Sequence, residues 1–136
     1  MTPEQVDLIG ISFDAMWPIR RDIADLCYSR FIELDPDAKD MFAGDIERRR
    51  MKVLDMITAL VASLDERPIF QSLITLSGHK HARLGVQLPH YVAMGEALMW
   101  SLERKLGASF TEELQEAWRT LYATAQTEML RSAAKT

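Results

Sequence analysis

Apolar residues in this chain return every third or fourth position, in stretches bounded by residues that start or stop helices, and that rhythm admits essentially one fold class. Thr2-Pro3-Glu4-Gln5 has the form of a capping box with proline at the first helical position, and Val6, Ile9, Phe13 and Trp17 follow at helical spacing. Pro18 separates this helix from a second, carrying Ile19, Ile23, Leu26, Cys27, Phe31 and Leu34. It stops at Asp35-Pro36, where Asp35 is expected to cap a short turn reaching Phe42. After Ala43-Gly44, Asp45 is placed to cap a long helix with Ile46, Val53, Ile57, Leu60, Val61 and Leu64 on its apolar face. A break at Asp65-Glu66-Arg67-Pro68 precedes a helix from Pro68 to Leu84, stopped by Gly85 as a left-handed cap. Pro89 opens the next, with Val92, Leu98, Leu102 and Leu106 turned inward and Gly107 as its stop. Thr111-Glu112-Glu113 opens the last, where Leu114, Trp118, Leu121, Ala125 and Met129 line one face and the tail from Ser132 is expected to fray.

No stretch between turn signals alternates apolar and polar residues in the manner of a strand, and no long-period repeat occurs. The expectation is an all-α domain over residues 1–136, with about seven helices of unequal length, the third of them short. An up-and-down four-helix bundle would need fewer and more equal rods, whereas unequal helices crossing steeply leave a gap between them.

A net charge of −4 provides no excess of Lys and Arg to neutralise phosphates, so neither nucleic acid nor an anionic membrane surface is an expected partner. The one basic run, Arg48-Arg49-Arg50 with Lys52, is short and lies within an amphipathic pattern. Cys27 is the only cysteine, unable to form an internal disulfide and suited to a reducing cytosol, and no secretory leader or apolar span is evident, so a cytoplasmic location is expected.

All three histidines, His79, His81 and His90, fall within twelve residues. On one helix, His79 and His81 project roughly 200° apart and cannot share a pocket. His90 lies beyond Gly85 and Pro89, and no cysteine or well-spaced glutamate completes a zinc set. The remaining arrangement is one histidine facing an apolar cavity, which is how a single axial imidazole holds haem iron, since the porphyrin already supplies four ligands. Spacing alone does not choose between His79 and His81.

The segment from His81 through Ala82, Arg83, Leu84, Gly85 and Val86 to His90-Tyr91 resembles the proximal-histidine segment of bacterial single-domain globins and of the globin domain of flavohaemoglobins. Tyr28, Pro36 and Phe42 keep the spacing of the second globin helix, the corner after it and the phenylalanine that packs on haem. Residues 95–107 and 110–122 resemble the last two globin helices, so the likeness spans about residues 4 to 130.

The resemblance implies a globin fold, a three-over-three helical sandwich around haem b. It makes His81 the iron ligand, with Phe42, Val53, Ile57, Val86 and Tyr91 around the cofactor and His79 and His90 as non-ligating neighbours. Tyr28 takes the place of a distal tyrosine, whose hydroxyl donates to bound dioxygen and contributes about 1–3 kcal/mol in a site shielded from water.

Five positions bear on departures from that pattern. Arg49 stands where a distal histidine or glutamine is usual, and the outward pose, toward a haem propionate, is expected over one donating to a bound anion. Lys52 is a poor sixth ligand because its amine must first lose a proton. Ser77 replaces an apolar residue one turn before His81, leaving its hydroxyl to bond to backbone or to the imidazole N–H. Tyr91 matches the tyrosine of a tyrosine–glutamate pair that polarises the proximal imidazole in flavohaemoglobins, while the glutamate's place is taken by Ala133.

The expected function is reversible binding of O2 and other diatomic ligands, CO and NO, or of small anions, with oxygen transport as the associated role. NO dioxygenation or nitrite reduction is a side activity that needs an external reductase, because the chain carries no dinucleotide fingerprint. A gas sensor acting through a partner protein is the alternative, and a haem-free globin fold is disfavoured by His81 and Phe42. A monomer or homodimer is expected, with Trp100 exposed and Trp118 in the core.

Overall fold

The computed structural model describes residues 1–42 and 44–134. Among them are six α-helices: α1 (Pro3–Met16), α2 (Arg20–Leu34), α3 (Ile46–Ala62), α4 (Arg67–Arg83), α5 (Leu88–Leu106) and α6 (Glu112–Ala134). No strand occurs among these residues. The short third segment is a 3-10 helix, Pro36–Met41, and brief 3-10 turns at Trp17–Ile19 and Gly107–Ser109 join the neighbouring helices.

Local chemistry sets most of the boundaries. The Thr2 hydroxyl accepts from the Gln5 amide at 3.1 Å while the Thr2 amide donates to Gln5 Oε1 at 3.0 Å, completing the capping box. Asp45 Oδ1 accepts from the Arg48 amide at 2.9 Å, and Thr111 Oγ1 accepts from the Leu114 amide at 3.3 Å. Asp35 departs from expectation: its carboxylate makes no cap bond and instead faces His90 at 3.7 Å. The last helix also persists further than expected, running through Ala134 with Ser132 buried, while Lys135 and Thr136 lie outside the described residues.

The helices form two layers, α1, α3 and α4 over α2, α5 and α6, with α2 against α5 and α4 along α6 as the most extensive pairings. Ile9, Phe13, Ile23, Phe31, Leu102 and Leu121 form the main core around Trp118. The Trp118 indole N–H donates to Ser12 Oγ at 3.1 Å, and Ser12 Oγ in turn donates to the Ile9 carbonyl, so the buried polar atoms are satisfied. A second core of Leu60, Ile74, Tyr91, Ala125 and Met129 lies where α4 meets α6.

Two inward assignments fail. Val92 is 44% exposed because the buried face of α5 runs through Tyr91, Leu98 and Leu102, one helical step away from it. Ile46, the first residue of α3, is exposed at the end of that helix's apolar stripe. Trp100 is half-buried rather than exposed, with the guanidinium groups of Arg30 and Arg104 at 5.1 and 4.8 Å from its ring centroid. None of the described helices is long and apolar enough to cross a membrane. Helices α3 and α4 touch only sparsely.

Candidate functional site

Helix α4 carries His81 on its last turn, and a glycine fixes how α4 is seated. At Gly78 an added Cβ would stand 2.5 Å from the Met129 carbonyl oxygen, so only glycine lets α4 lie directly on the α6 backbone at that point. Beyond His81 the helix closes by amides of Leu84 and Val86 donating to the His81 carbonyl at 3.1 and 3.0 Å, with Gly85 at a positive φ of 84°.

The half-buried His81 ring stands edge-on to Tyr91, and Nδ1 lies 3.2 Å from the Tyr91 hydroxyl oxygen. Nε2 has no hydrogen-bond partner among the described residues. Burial, and then the neighbouring positive charge of Lys80, lowers the His81 pKa and keeps the imidazole neutral. Burial pushes the Tyr91 hydroxyl up to about 12, so it meets His81 as a neutral phenol. A neutral imidazole with one nitrogen engaged and the other open is the chemistry of an axial metal donor; with Nε2 ligating, Nδ1 carries the proton and donates to the phenol oxygen. Ser77 makes no hydrogen bond to that imidazole, whose Nδ1 is taken by Tyr91.

The other two histidines have separate surroundings. His79 is half-buried, less solvated than expected of an outer helix position, and has no polar partner among the described residues. His90 Nδ1 accepts from the Gln87 amide at 2.9 Å and caps α5, and its Nε2 faces Asp35 Oδ2. No group of three or more His, Cys, Asp or Glu placed to hold a metal ion occurs among the described residues.

On α2, Tyr28 is 4% exposed and its hydroxyl has no hydrogen-bond partner among the described residues. Its ring meets Phe42 edge-on at 5.4 Å, and Phe42, at the end of the 3-10 turn, also packs edge-on against Phe31 at 6.0 Å. Val53 and Ile57 are buried on α3 in the same core as Tyr28, and Val86 packs against the core that contains Tyr91. Arg49 Nε donates to the Gly44 carbonyl at 2.9 Å, which ties the side chain back to the corner before α3. Its neighbour Arg50 turns to α2, with Nε 3.8 Å from Asp25 Oδ1, while Lys52 is exposed.

Sequence reasoning missed Tyr122. Its hydroxyl donates to the Tyr91 carbonyl oxygen at 2.5 Å, and its ring lies on Gly95, where a Cβ would stand 2.6 Å from Cε1. The available signal was a glycine inside a helical pattern, which marks a close approach without saying to what.

These residues fit a haem. His81 would supply the single donor and Phe42, Val53, Ile57 and Val86 the apolar walls, while the Tyr28 hydroxyl has no hydrogen-bond partner among the described residues.

Known proteins share the fold. Residues 25–129 match the globin family. Neuroglobin of Tetraodon nigroviridis is 26% identical over 149 residues, covering 99% of this chain and 94% of that protein, and neuroglobin of Danio rerio is 30% identical with 79% and 77% covered. A flavohemoprotein of Bordetella pertussis is 26% identical over 98 residues, which cover 70% of this chain but 24% of that protein. Among solved structures, an engineered carbene transferase built on a candidate nitric oxide dioxygenase from Rhodothermus marinus superposes with TM-score 0.86 at 26% identity, covering 99% of this chain and 94% of the other. A bacterial globin from Campylobacter jejuni shares the fold at TM-score 0.82 and 19% identity, with 98% and 97% covered. A match over that much of its length, on an all-helical fold, means that this chain belongs to the globin family.

Proposed function

We propose that this protein is a cytoplasmic globin that holds haem b through His81 and binds O2 and other diatomic ligands reversibly. NO dioxygenation is a secondary activity when an external reductase supplies electrons. The observation that carries the reading is the His81 imidazole, neutral, engaged at Nδ1 by Tyr91 and open at Nε2. Haem, when bound, supplies the iron at which gases and small anions ligate. The residues do the rest: His81 fixes the cofactor from α4, and Phe42, Val53, Ile57 and Val86 exclude water. Tyr28 presents a hydroxyl donor on the far side.

The Tyr91 hydroxyl is a weaker acceptor than a carboxylate, and Ala133 supplies no carboxylate behind it. His81 therefore stays a near-neutral donor, which favours reversible binding over peroxide cleavage.

The test is a visible spectrum of the purified protein, reduced with dithionite and exposed to CO. A Soret band that moves on CO addition is expected in the wild type, and loss of that response in His81→Ala. An unchanged spectrum in His81→Ala would remove this residue as the ligand.

A further inference from the structure

Two glycines inside helices mark where α6 comes closest to the helices that carry His81 and Tyr91. The Met129 backbone sits at Gly78 and the Tyr122 ring sits at Gly95. Tyr122 and Met129 are seven positions apart, two helical turns, so both contacts come from one face of α6, with buried Ala125 between them. Gly78 is three residues before His81 and Gly95 four after Tyr91, which places each close approach one turn from one member of the pair. The Tyr122 hydroxyl adds a directional bond to the Tyr91 carbonyl, and burial raises its pKa, so it remains a donor.

We propose that Tyr122 is a positioning residue for the proximal pair: α6 sets the distance between α4 and α5, and the Tyr122 hydroxyl holds the first turns of α5 at the height where the Tyr91 hydroxyl meets His81 Nδ1. The consequence for haem rests on the reading of His81 as axial ligand, whereas the pairing itself belongs to the chain without cofactor. A side chain that merely filled the core would be replaceable by one of the same shape. Tyr122→Phe keeps the ring over Gly95 and removes only the hydroxyl.

Two measurements read the pair: the side-chain 15N shifts of His81 in the haem-free protein, and the iron–histidine stretching band of the ferrous haem-loaded protein. Tyr91→Phe defines complete loss of the contact. Tyr122→Phe is expected to move both readouts part of the way to that limit, from one dominant tautomer toward a mixture and from higher to lower stretching frequency, with haem uptake unchanged. Gly95→Ala, which displaces the ring, is expected to do the same and carries the comparison should Tyr122→Phe fold poorly. Wild-type values for both readouts in Tyr122→Phe and Gly95→Ala, whatever their stability, would overturn the proposal. Wild-type values in Tyr91→Phe would overturn the pairing beneath it. Loss of the axial-ligand reading would show separately, as His81→Ala retaining the spectrum.

Discussion

At the scale of single residues, the side chains that matter most are those whose polar atoms find no partner in the protein. The Tyr28 hydroxyl has no partner among the described residues, and a donor in that condition gains most from a ligand that brings an acceptor. Tyr28→Phe deletes the donor and keeps the ring that packs on Phe42. The expected outcome is an O2 dissociation rate raised by about one to two decades, from a bond of about 1–3 kcal/mol, with CO dissociation changed far less. Equal O2 off-rates by stopped flow would place the hydroxyl outside the ligand pocket. Cys27 provides a pH test. Burial pushes its thiol from 9.0 to about 12, so between those values the unfolded chain has given up a proton that the folded chain retains. This contribution to stability is complete below pH 9 and is lost as pH rises toward 12; Tyr91, raised from 10.0 to about 12, acts in the same direction. Urea midpoints are expected to fall from pH 9 upward, and less steeply in Cys27→Ala.

At the scale of helices, Gly10 and Gly78 make opposite predictions from the same substitution. Both interrupt a helix interior, where alanine is favoured by about 1 kcal/mol. At Gly10 an added Cβ meets nothing within 4 Å, so Gly10→Ala is expected to stabilise by about 0.5–1 kcal/mol. At Gly78 the Cβ would meet the Met129 backbone, which cannot rotate away as a side chain can, and overpacking of about 1–3 kcal/mol outweighs the propensity. Denaturant titrations on the two variants are expected to move in opposite directions, and a stabilised Gly78→Ala would mean that α4 and α6 are not in backbone contact. This asymmetry also shows what was legible in advance. Helix starts and stops are written locally, in Thr2, Asp45, Gly85 and Gly107, and these features lie where the sequence places them. The outward turn of Val92, the 3-10 form of Pro36–Met41 and the pairing of Asp35 with His90 depend on distant partners that no local pattern encodes. The site divides in the same way. Spacing reduced the ligand to His79 or His81, and family likeness chose between them. Tyr122 could not be read at all, because its bond spans 31 residues and depends on how α5 and α6 cross.

At the scale of the molecule, the two cores have unequal support. The larger one joins α1, α2, α3, α5 and α6, and around Trp118 its polar atoms are satisfied within the protein. The smaller one, Leu60, Ile74, Tyr91, Ala125 and Met129, holds α4 on α6 but leaves α3 and α4 facing each other across a sparse contact, with Leu76 of α4 70% exposed. Stability in such a molecule is not uniform: regions with few buried contacts open with less free energy than the whole. A ligand that binds only the folded state adds about 4 kcal/mol at a thousandfold excess over its dissociation constant, and the addition is felt first by the segments it bridges. Hemin is therefore expected to slow amide exchange mainly in α3, α4 and the corner from Leu84 to Gln87, while α1 and the Trp118 turn of α6 exchange as before. His81→Ala should lose most of that protection, because the remaining apolar contacts bridge the gap without a bond to α4. Protection spread evenly over all six helices, or retained in full by His81→Ala, would show that the cofactor stabilises the molecule by some route other than closing the space between α3 and α4.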